Sequence, residues 1–224
     1  MFAQTHSPSL NAATFQGRQG GGPIIAGVPD DARPLKAYGD QLVMFLADNS
    51  GSMSGAKAQE ASQAISVCLN ELADSSNKDG FRASVISYGS SSQLLHSASE
   101  PMKSLTTLDG NGGGTSLAPA ICLAQTEVAR YSARPNRRLQ PAVAIIFSDG
   151  QLGDGPQAEI EADRLKKMGV KVLTIGFGAD ADEAQLRRLA SAPDHYAFAN
   201  VGVGQLKPLF ALVGKTLSQQ NRNP

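Results

Sequence analysis

Apolar residues follow two different patterns along the chain from residue 41 onward. The segments 42–47 and 142–147 are continuously apolar, which is typical of strands that are covered on both faces. Elsewhere apolar residues recur every three or four positions, as in Ala61, Ile65 and Cys68, and this spacing predicts amphipathic helices. The predicted strands cover 42–47, 82–88, 93–98, 142–147, 170–176 and 195–198, and the predicted helices cover 54–74, 117–131, 156–168, 182–191 and 204–217.

The order of these elements, in which strands alternate with helices, is that of an α/β protein. Such alternation predicts a doubly wound, mostly parallel sheet with helices on both faces. The segments 82–88 and 93–98 are separated only by a short turn of Gly and Ser residues. We therefore expect these two strands to pair antiparallel and to give the sheet one antiparallel edge strand.

The first 38 residues differ in composition from the rest of the chain. They are rich in Gly, Pro, Ser, Gln and Asn, and such segments bury too little apolar surface to offset the entropy lost on ordering. We therefore expect a flexible Gly/Pro-rich N-terminal arm at 1–38 and one globular domain at 39–224. The alternative is that Ile24, Ile25 and Val28 anchor the arm on this domain or on a partner.

Charge and composition exclude several classes of protein. Lys plus Arg and Asp plus Glu are balanced at 20 each, whereas a protein that coats nucleic acid needs an excess of basic residues. The sequence has no run of about 18 apolar residues that could span a membrane and no secretory signal pattern, so the expected location is the cytoplasm. Cys68 and Cys122 lie in apolar, helix-like segments, where we expect buried thiols and no disulfide.

Oxygen-bearing side chains follow the two continuously apolar strands. The first strand is followed by Asp48, Ser50 and Ser52, and the second by Asp149. Thr115 lies between them in the sequence, after a glycine-rich loop. Because ligands bind beyond the carboxyl ends of the strands in a doubly wound sheet, we expect these loops to converge. Oxygen ligands without His or Cys are typical of a hard divalent cation, with Mg²⁺ favoured and Mn²⁺ or Ca²⁺ as alternatives.

Turn and capping chemistry is an alternative explanation for the same residues. Asp and Ser are common in turns and at helix N-caps, and Thr115 could cap the helix that follows it. The number of oxygen ligands that one sheet edge would collect favours the metal site. The three glycines before Thr115 are expected to let their loop move without steric penalty.

The chain resembles a von Willebrand factor A (VWA) domain over about residues 40–218. Asp48-x-Ser50-x-Ser52, Thr115 and Asp149 match the metal-ion-dependent adhesion site (MIDAS) of that family in order, spacing and strand context. Within the family, the sequence is most similar to the intracellular bacterial VWA proteins associated with tellurium resistance. Three sequence segments carry this similarity: Gly113-Gly114-Thr115-Ser116-Leu117, Phe147-Ser148-Asp149-Gly150 and Val172-Leu173-Thr174-Ile175-Gly176.

The resemblance implies a non-enzymatic, metal-dependent protein-interaction module. In such a module Ser50 and Ser52 would bind the metal directly, as would Thr115 in the ligand-competent state. Asp48 and Asp149 would act mostly through waters, and an Asp or Glu carboxylate of a partner protein would complete the coordination. The subgroup implies a bacterial stress-response, tellurium-resistance or defence pathway, with a companion kinase and phosphatase as further partners. In the family, movement of the threonine loop is coupled to displacement of the last helix.

A metal-dependent phosphoesterase on an α/β scaffold is the alternative function. Asp48 and Asp149 could serve such an enzyme, but no general base or phosphate-binding Lys accompanies them. The histidines show no ligand spacing and are expected at the surface or at strand ends. We therefore expect no catalytic residue, no nucleic-acid partner and no membrane partner.

Overall fold

A six-stranded sheet forms the core of the protein in the computed structural model, which describes residues 40–77, 80–99, 107–134, 139–200 and 204–222. Its strands are β1 (Gln41–Asp48), β2 (Phe81–Tyr88), β3 (Ser92–Ser99), β4 (Val143–Ser148), β5 (Lys171–Phe177) and β6 (Tyr196–Ala199). Across the sheet they are ordered β3-β2-β1-β4-β5-β6. All neighbours are parallel except β2 and β3, which confirms the predicted mostly parallel α/β sheet with one antiparallel edge strand.

Helices cover both faces of this sheet, as predicted. They are α1 (Ala56–Leu72), α2 (Ala118–Ser132), α3 (Gly155–Lys167), α4 (Glu183–Leu189) and α5 (Leu206–Arg222). On one face α1 packs against α5, and on the other face α3 packs between α2 and α4. None of the helices in the described segments has the length and apolar character needed to cross a membrane.

The central strands β1 and β4 are buried along their whole length, as their apolar sequences predict. Leu42, Met44 and Leu46 of β1 contribute to the core that also contains α2 and α3, because side chains alternate between the two faces of a strand. Phe45 points to the opposite face, where its ring centre lies 6.1 Å from that of Phe210 on α5. Burial on both faces leaves the strand ends as the place where β1 and β4 present polar groups.

The predicted N-terminal arm at 1–38 lies outside the described residues. The same holds for the proposed anchors Ile24, Ile25 and Val28. The division of the chain into an arm and a domain therefore stays a prediction.

The two cysteines are free thiols in different environments. Cys68 on α1 is buried, as predicted, whereas Cys122 on α2 is exposed, so the prediction that both are buried is wrong for Cys122. The neighbouring Ile121 and Ala124 are buried, and a helix turns by about 100° per residue. Cys122 therefore lies beside the apolar stripe of α2 and faces outward.

Thiol labelling tests this difference between the cysteines. Burial, with a smaller contribution from the Glu71 carboxylate, raises the pKa of the Cys68 thiol, so its reactive thiolate is both scarce and inaccessible. At about pH 8 in native buffer we expect a maleimide to label Cys122 alone, and to label both cysteines in guanidinium chloride. A Cys122→Ser variant should lose native-state labelling. Equal native labelling rates at both cysteines would contradict this fold.

Candidate metal centre

The carboxyl ends of β1 and β4 lie side by side and bring Asp48 and Asp149 together. The two strands are parallel neighbours with Ala47 opposite Phe147, so the residues that follow leave the sheet at the same edge. Asp48 is the last residue of β1, and Asp149 directly follows β4. Both residues are almost completely buried, with exposed fractions of 0% and 1%. Two carboxylates that are distant in the sequence thus share one buried site.

Both carboxylate oxygens of Asp48 accept a hydrogen bond from the protein. Oδ1 accepts from the backbone N–H of Ser50 at 2.9 Å, and Oδ2 accepts from the hydroxyl of Ser148 at 2.7 Å. Burial raises the pKa of Asp48, and the negative charge of Asp149 adds to this effect, while the bonds from Ser50 and Ser148 oppose it. Hydrogen bonds from the protein therefore replace those that the Asp48 carboxylate would accept from water.

The oxygens of Asp149 are also both engaged. Oδ1 accepts from the hydroxyl of Ser52 at 2.7 Å, and Oδ2 forms an ion pair with the ammonium group of Lys57. The hydroxyl oxygens of Ser50 and Ser52 lie 3.0 Å apart. Asp48, Ser50, Ser52 and Asp149, all predicted site residues, thus form one hydrogen-bonded series that ends at Lys57.

Ser148 and Lys57 also belong to this cluster, although neither was predicted from the sequence. Ser148 is the last residue of β4, and its position beside Asp149 could have identified it, because it leaves the same strand end. Lys57 lies in the first turn of α1, where a lysine usually indicates a solvated helix face. No sequence pattern in this chain distinguishes it from such a residue.

Backbone hydrogen bonds fasten the glycine-rich loop to the turn that follows β1. The N–H of Gly112 donates to the carbonyl of Asn49, and the N–H of Gly51 donates to the carbonyl of Gly113, both at 2.8 Å. The side-chain oxygen of Asn49 accepts from the N–H of Gly110 at 2.8 Å. The N–H of Gly114 donates to the Ser90 hydroxyl at 2.7 Å. The loop before Thr115 is therefore held from two sides.

Close contacts between backbone segments give two glycines near this loop a further role. A Cβ atom on Gly112 would lie 2.6 Å from the carbonyl oxygen of Asn49, and one on Gly89 would lie 2.4 Å from the carbonyl oxygen of Gly112. Such distances are too short for any side chain, so glycine here permits close approach of one backbone to another. The expectation that this loop moves without steric penalty stays a prediction, and any movement would break several hydrogen bonds.

A backbone hydrogen bond connects Thr115, the fifth predicted site residue, to the loop that follows Asp149. The carbonyl of Thr115 accepts from the N–H of Gly153 at 2.7 Å, and Gly153 belongs to the loop that follows Asp149. The carboxylate of Asp154 in the same loop accepts from the N–H groups of Leu117 and Ala118, both at 2.9 Å. Asp154 therefore caps α2, and the alternative that Thr115 is the cap is wrong. This leaves the half-buried Thr115 hydroxyl free of a capping role.

The side chains of this cluster fit a small divalent cation. Two oxygen ligands at about 2.1 Å from Mg²⁺ and at right angles to each other are about 3.0 Å apart, which matches the distance between the Ser50 and Ser52 hydroxyls. Among the described residues, no group of three or more His, Cys, Asp or Glu side chains could hold a metal. A cation here would accordingly need hydroxyl oxygens in addition to the two carboxylates.

Comparison with known proteins gives one family match and one related sequence. The sequence matches the family model of the von Willebrand factor type A domain over residues 43–211. It is 24% identical over 205 residues to the collagen alpha-6(VI) chain of the mouse, a match that covers 89% of this chain and 9% of that protein. The chain thus spans about a tenth of that relative.

Solved structures with the same fold include a byssus matrix protein and a pilus tip protein. Proximal thread matrix protein 1 from the mussel byssus, in a form with a zinc-occupied MIDAS motif, has a TM-score of 0.54 at 19% identity, over 79% of this chain and 46% of that one. The von Willebrand factor domain of the type V pilus tip protein Mfa5 from Porphyromonas gingivalis has a TM-score of 0.61 at 14% identity, over 81% and 96%. At these identities the likeness concerns the fold.

Replacing Asp154 tests whether its carboxylate caps α2 and fixes the segment around Thr115. Asp154→Ala leaves two N–H groups without their acceptor, and loss of a cap typically costs about 0.5–2 kcal/mol. We expect the free energy of unfolding in urea to fall by roughly 1–2 kcal/mol, with faster hydrogen exchange at the amides of residues 113–118. The matched control Asp163→Ala removes an exposed carboxylate paired with Lys166 and should cost less than about 0.5 kcal/mol. Equal losses in both variants would refute the capping role.

Proposed function

The chain belongs to the von Willebrand factor type A family, and on that basis we propose that it is a non-enzymatic, metal-dependent protein-interaction module. The hydroxyls of Ser50, Ser52 and Thr115 bind a divalent cation, and Asp48 and Asp149 orient those hydroxyls and hold bridging waters. A carboxylate from an Asp or Glu of a partner protein occupies the remaining coordination position. The bound cation supplies the positive charge that attracts this carboxylate.

One observation carries the proposal: every oxygen of Asp48 and Asp149 is already engaged by the protein. The partners are the N–H of Ser50, the hydroxyls of Ser148 and Ser52, and the ammonium of Lys57. A cation that meets mainly neutral hydroxyls keeps more of its charge than one that binds carboxylates directly. Such an ion can attract an acidic group from another molecule, since a bound cation is the largest local charge at its site.

Mg²⁺ is the cation that we assign to the site, with Mn²⁺ or Ca²⁺ as substitutes. The predicted ligands are all oxygen atoms, which suit Mg²⁺ and Mn²⁺, whereas structural zinc sites use mainly Cys and His. The mussel protein is described with zinc in its MIDAS motif, and this supports a divalent cation without selecting Mg²⁺. Competition between Mg²⁺ and Zn²⁺ therefore belongs in any binding assay.

The proposed biological setting rests on three segments of the sequence. The segments around Thr115, Asp149 and Thr174 support a role in a bacterial stress-response or tellurium-resistance pathway in the cytoplasm. A kinase and a phosphatase would be further partners in that pathway. The compared proteins are a collagen chain, a byssus protein and pilus components, and they support protein binding in general. The setting and the location stay predictions.

Removing the threonine hydroxyl tests the proposed function directly. Thr115→Val keeps the side-chain shape but removes an oxygen ligand, so we expect Mn²⁺ affinity, measured by calorimetry, to fall by at least about tenfold. The control Thr126→Val removes an exposed hydroxyl on α2 that donates to a backbone carbonyl, and should leave Mn²⁺ affinity unchanged. Immobilised wild-type protein should capture its partner from a lysate of the source organism in Mg²⁺, but not in chelator.

Three outcomes would overturn the proposal. One is equal Mn²⁺ affinity in wild type and Thr115→Val, and another is partner capture that survives chelation. The third is Mg²⁺-dependent hydrolysis of p-nitrophenyl phosphate that Asp149→Ala abolishes. That result would instead favour the phosphoesterase alternative.

A further inference from the structure

The candidate site already contains a cation that belongs to the protein. Lys57 lies in the first turn of α1, and its ammonium group pairs with Oδ2 of Asp149. The Asp149 side chain has an exposed fraction of 0%, whereas that of Lys57 is 24%. The ion pair therefore joins a buried carboxylate to an ammonium group that reaches it from the solvent side.

The backbone before α1 places this lysine beside the site. The turn Gly51–Met53 follows the Asp48 strand end, and Gly55 then adopts a φ of +72°, which favours glycine. The first turn of α1 consequently begins close to the serines that precede it. Lys57 is fixed at its Cα by the helix, while its four-carbon side chain remains able to move.

We propose that Lys57 is a tethered counter-ion whose positive charge competes with that of the divalent metal for the negative charge of Asp149. This inference rests on the proposed function and adds a regulatory residue to it. Without metal, Lys57 neutralises the buried carboxylate. With metal bound, repulsion between the two cations weakens the ion pair, and Lys57 turns toward solvent. Lys57 thereby lowers the affinity of the site for the metal and prevents Asp149 from remaining buried without a positive partner.

Charge counting supports this competition. Asp48 and Asp149 contribute two negative charges, and Lys57 together with a divalent ion would contribute three positive ones. A buried carboxylate without a positive partner is costly, which explains why an ammonium group is useful when no metal is bound. A second cation at the same carboxylate is repelled, and the exposed side of the Lys57 chain gives this group a route into water.

The test compares Mg²⁺ binding in wild type, Lys57→Met and Lys57→Arg by isothermal calorimetry. A unit charge about 6 Å from a divalent ion changes the binding constant about tenfold even when water screens the two charges, so we expect at least about tenfold tighter binding in Lys57→Met. Lys57→Arg keeps the charge and should bind within about twofold of wild type. Lys166→Met is the matched control, because Lys166 also has a 24% exposed side chain and pairs with an aspartate, on α3.

Thermal unfolding provides a second readout that does not depend on partner binding. In chelator Lys57→Met should unfold at a lower temperature than wild type, because Asp149 loses its counter-ion. In saturating Mg²⁺ that difference should shrink or reverse, since the metal then supplies the charge. Lys166→Met should show the same small change in both conditions. Should Lys57→Met fail to fold, Lys57→Gln replaces it in both measurements.

The outcomes separate this inference from the proposed function. If wild type binds Mg²⁺ and Lys57→Met binds it equally or more weakly, Lys57 only positions Asp149 and the competition is refuted. If neither wild type nor any variant binds Mg²⁺, the proposed function fails and this inference fails with it. Tighter binding in Lys57→Met but not in Lys57→Arg or Lys166→Met supports the tethered counter-ion.

Discussion

The burial of two carboxylates at adjacent strand ends is the constraint on which the rest of this site depends. Asp48 and Asp149 are both shielded from water. Burial raises the pKa of Asp48, and the negative charge of Asp149 adds to this effect. Each of their four carboxylate oxygens contacts a hydrogen-bond donor or a cation. The partners are a backbone N–H, two serine hydroxyls and the ammonium of Lys57. Only one of these partners, Lys57, carries a positive charge, so the two carboxylates keep a net negative charge that would attract a divalent ion.

The surrounding loops are arranged so that this cluster keeps its shape. Glycines at 89 and 112 allow one backbone to approach another more closely than any side chain would permit, and Asn49 holds the loop before Thr115. On the other side, Asp154 caps α2. Thr115 is therefore bracketed by two sets of hydrogen bonds, and any displacement of its loop must break some of them. A conformational change that moves Thr115 would therefore cost the free energy of the hydrogen bonds that it breaks.

The predictable part of this protein is the part governed by hydrophobic pattern and strand order. The apolar runs at 42–47 and 142–147 indicated the two central strands, and their position in a parallel sheet indicated where Asp48 and Asp149 would meet. The role of Lys57 could not be predicted, because a lysine in a first helical turn usually faces solvent and its partner is distant in sequence. Asp154 was missed for a similar reason, since its acceptor role depends on where α2 begins in space.

The central claim is that hydroxyl oxygens hold the cation while both carboxylates stay behind them. Crystals of the protein grown with Mn²⁺, with diffraction recorded at the manganese absorption edge, would locate the ion by its anomalous scattering. We expect one strong peak within about 2.3 Å of the hydroxyl oxygens of Ser50 and Ser52. Asp48 and Asp149 should keep their hydrogen bonds to Ser148 and Ser52. A peak bound directly by both carboxylates, or no peak at this sheet edge, would contradict the account.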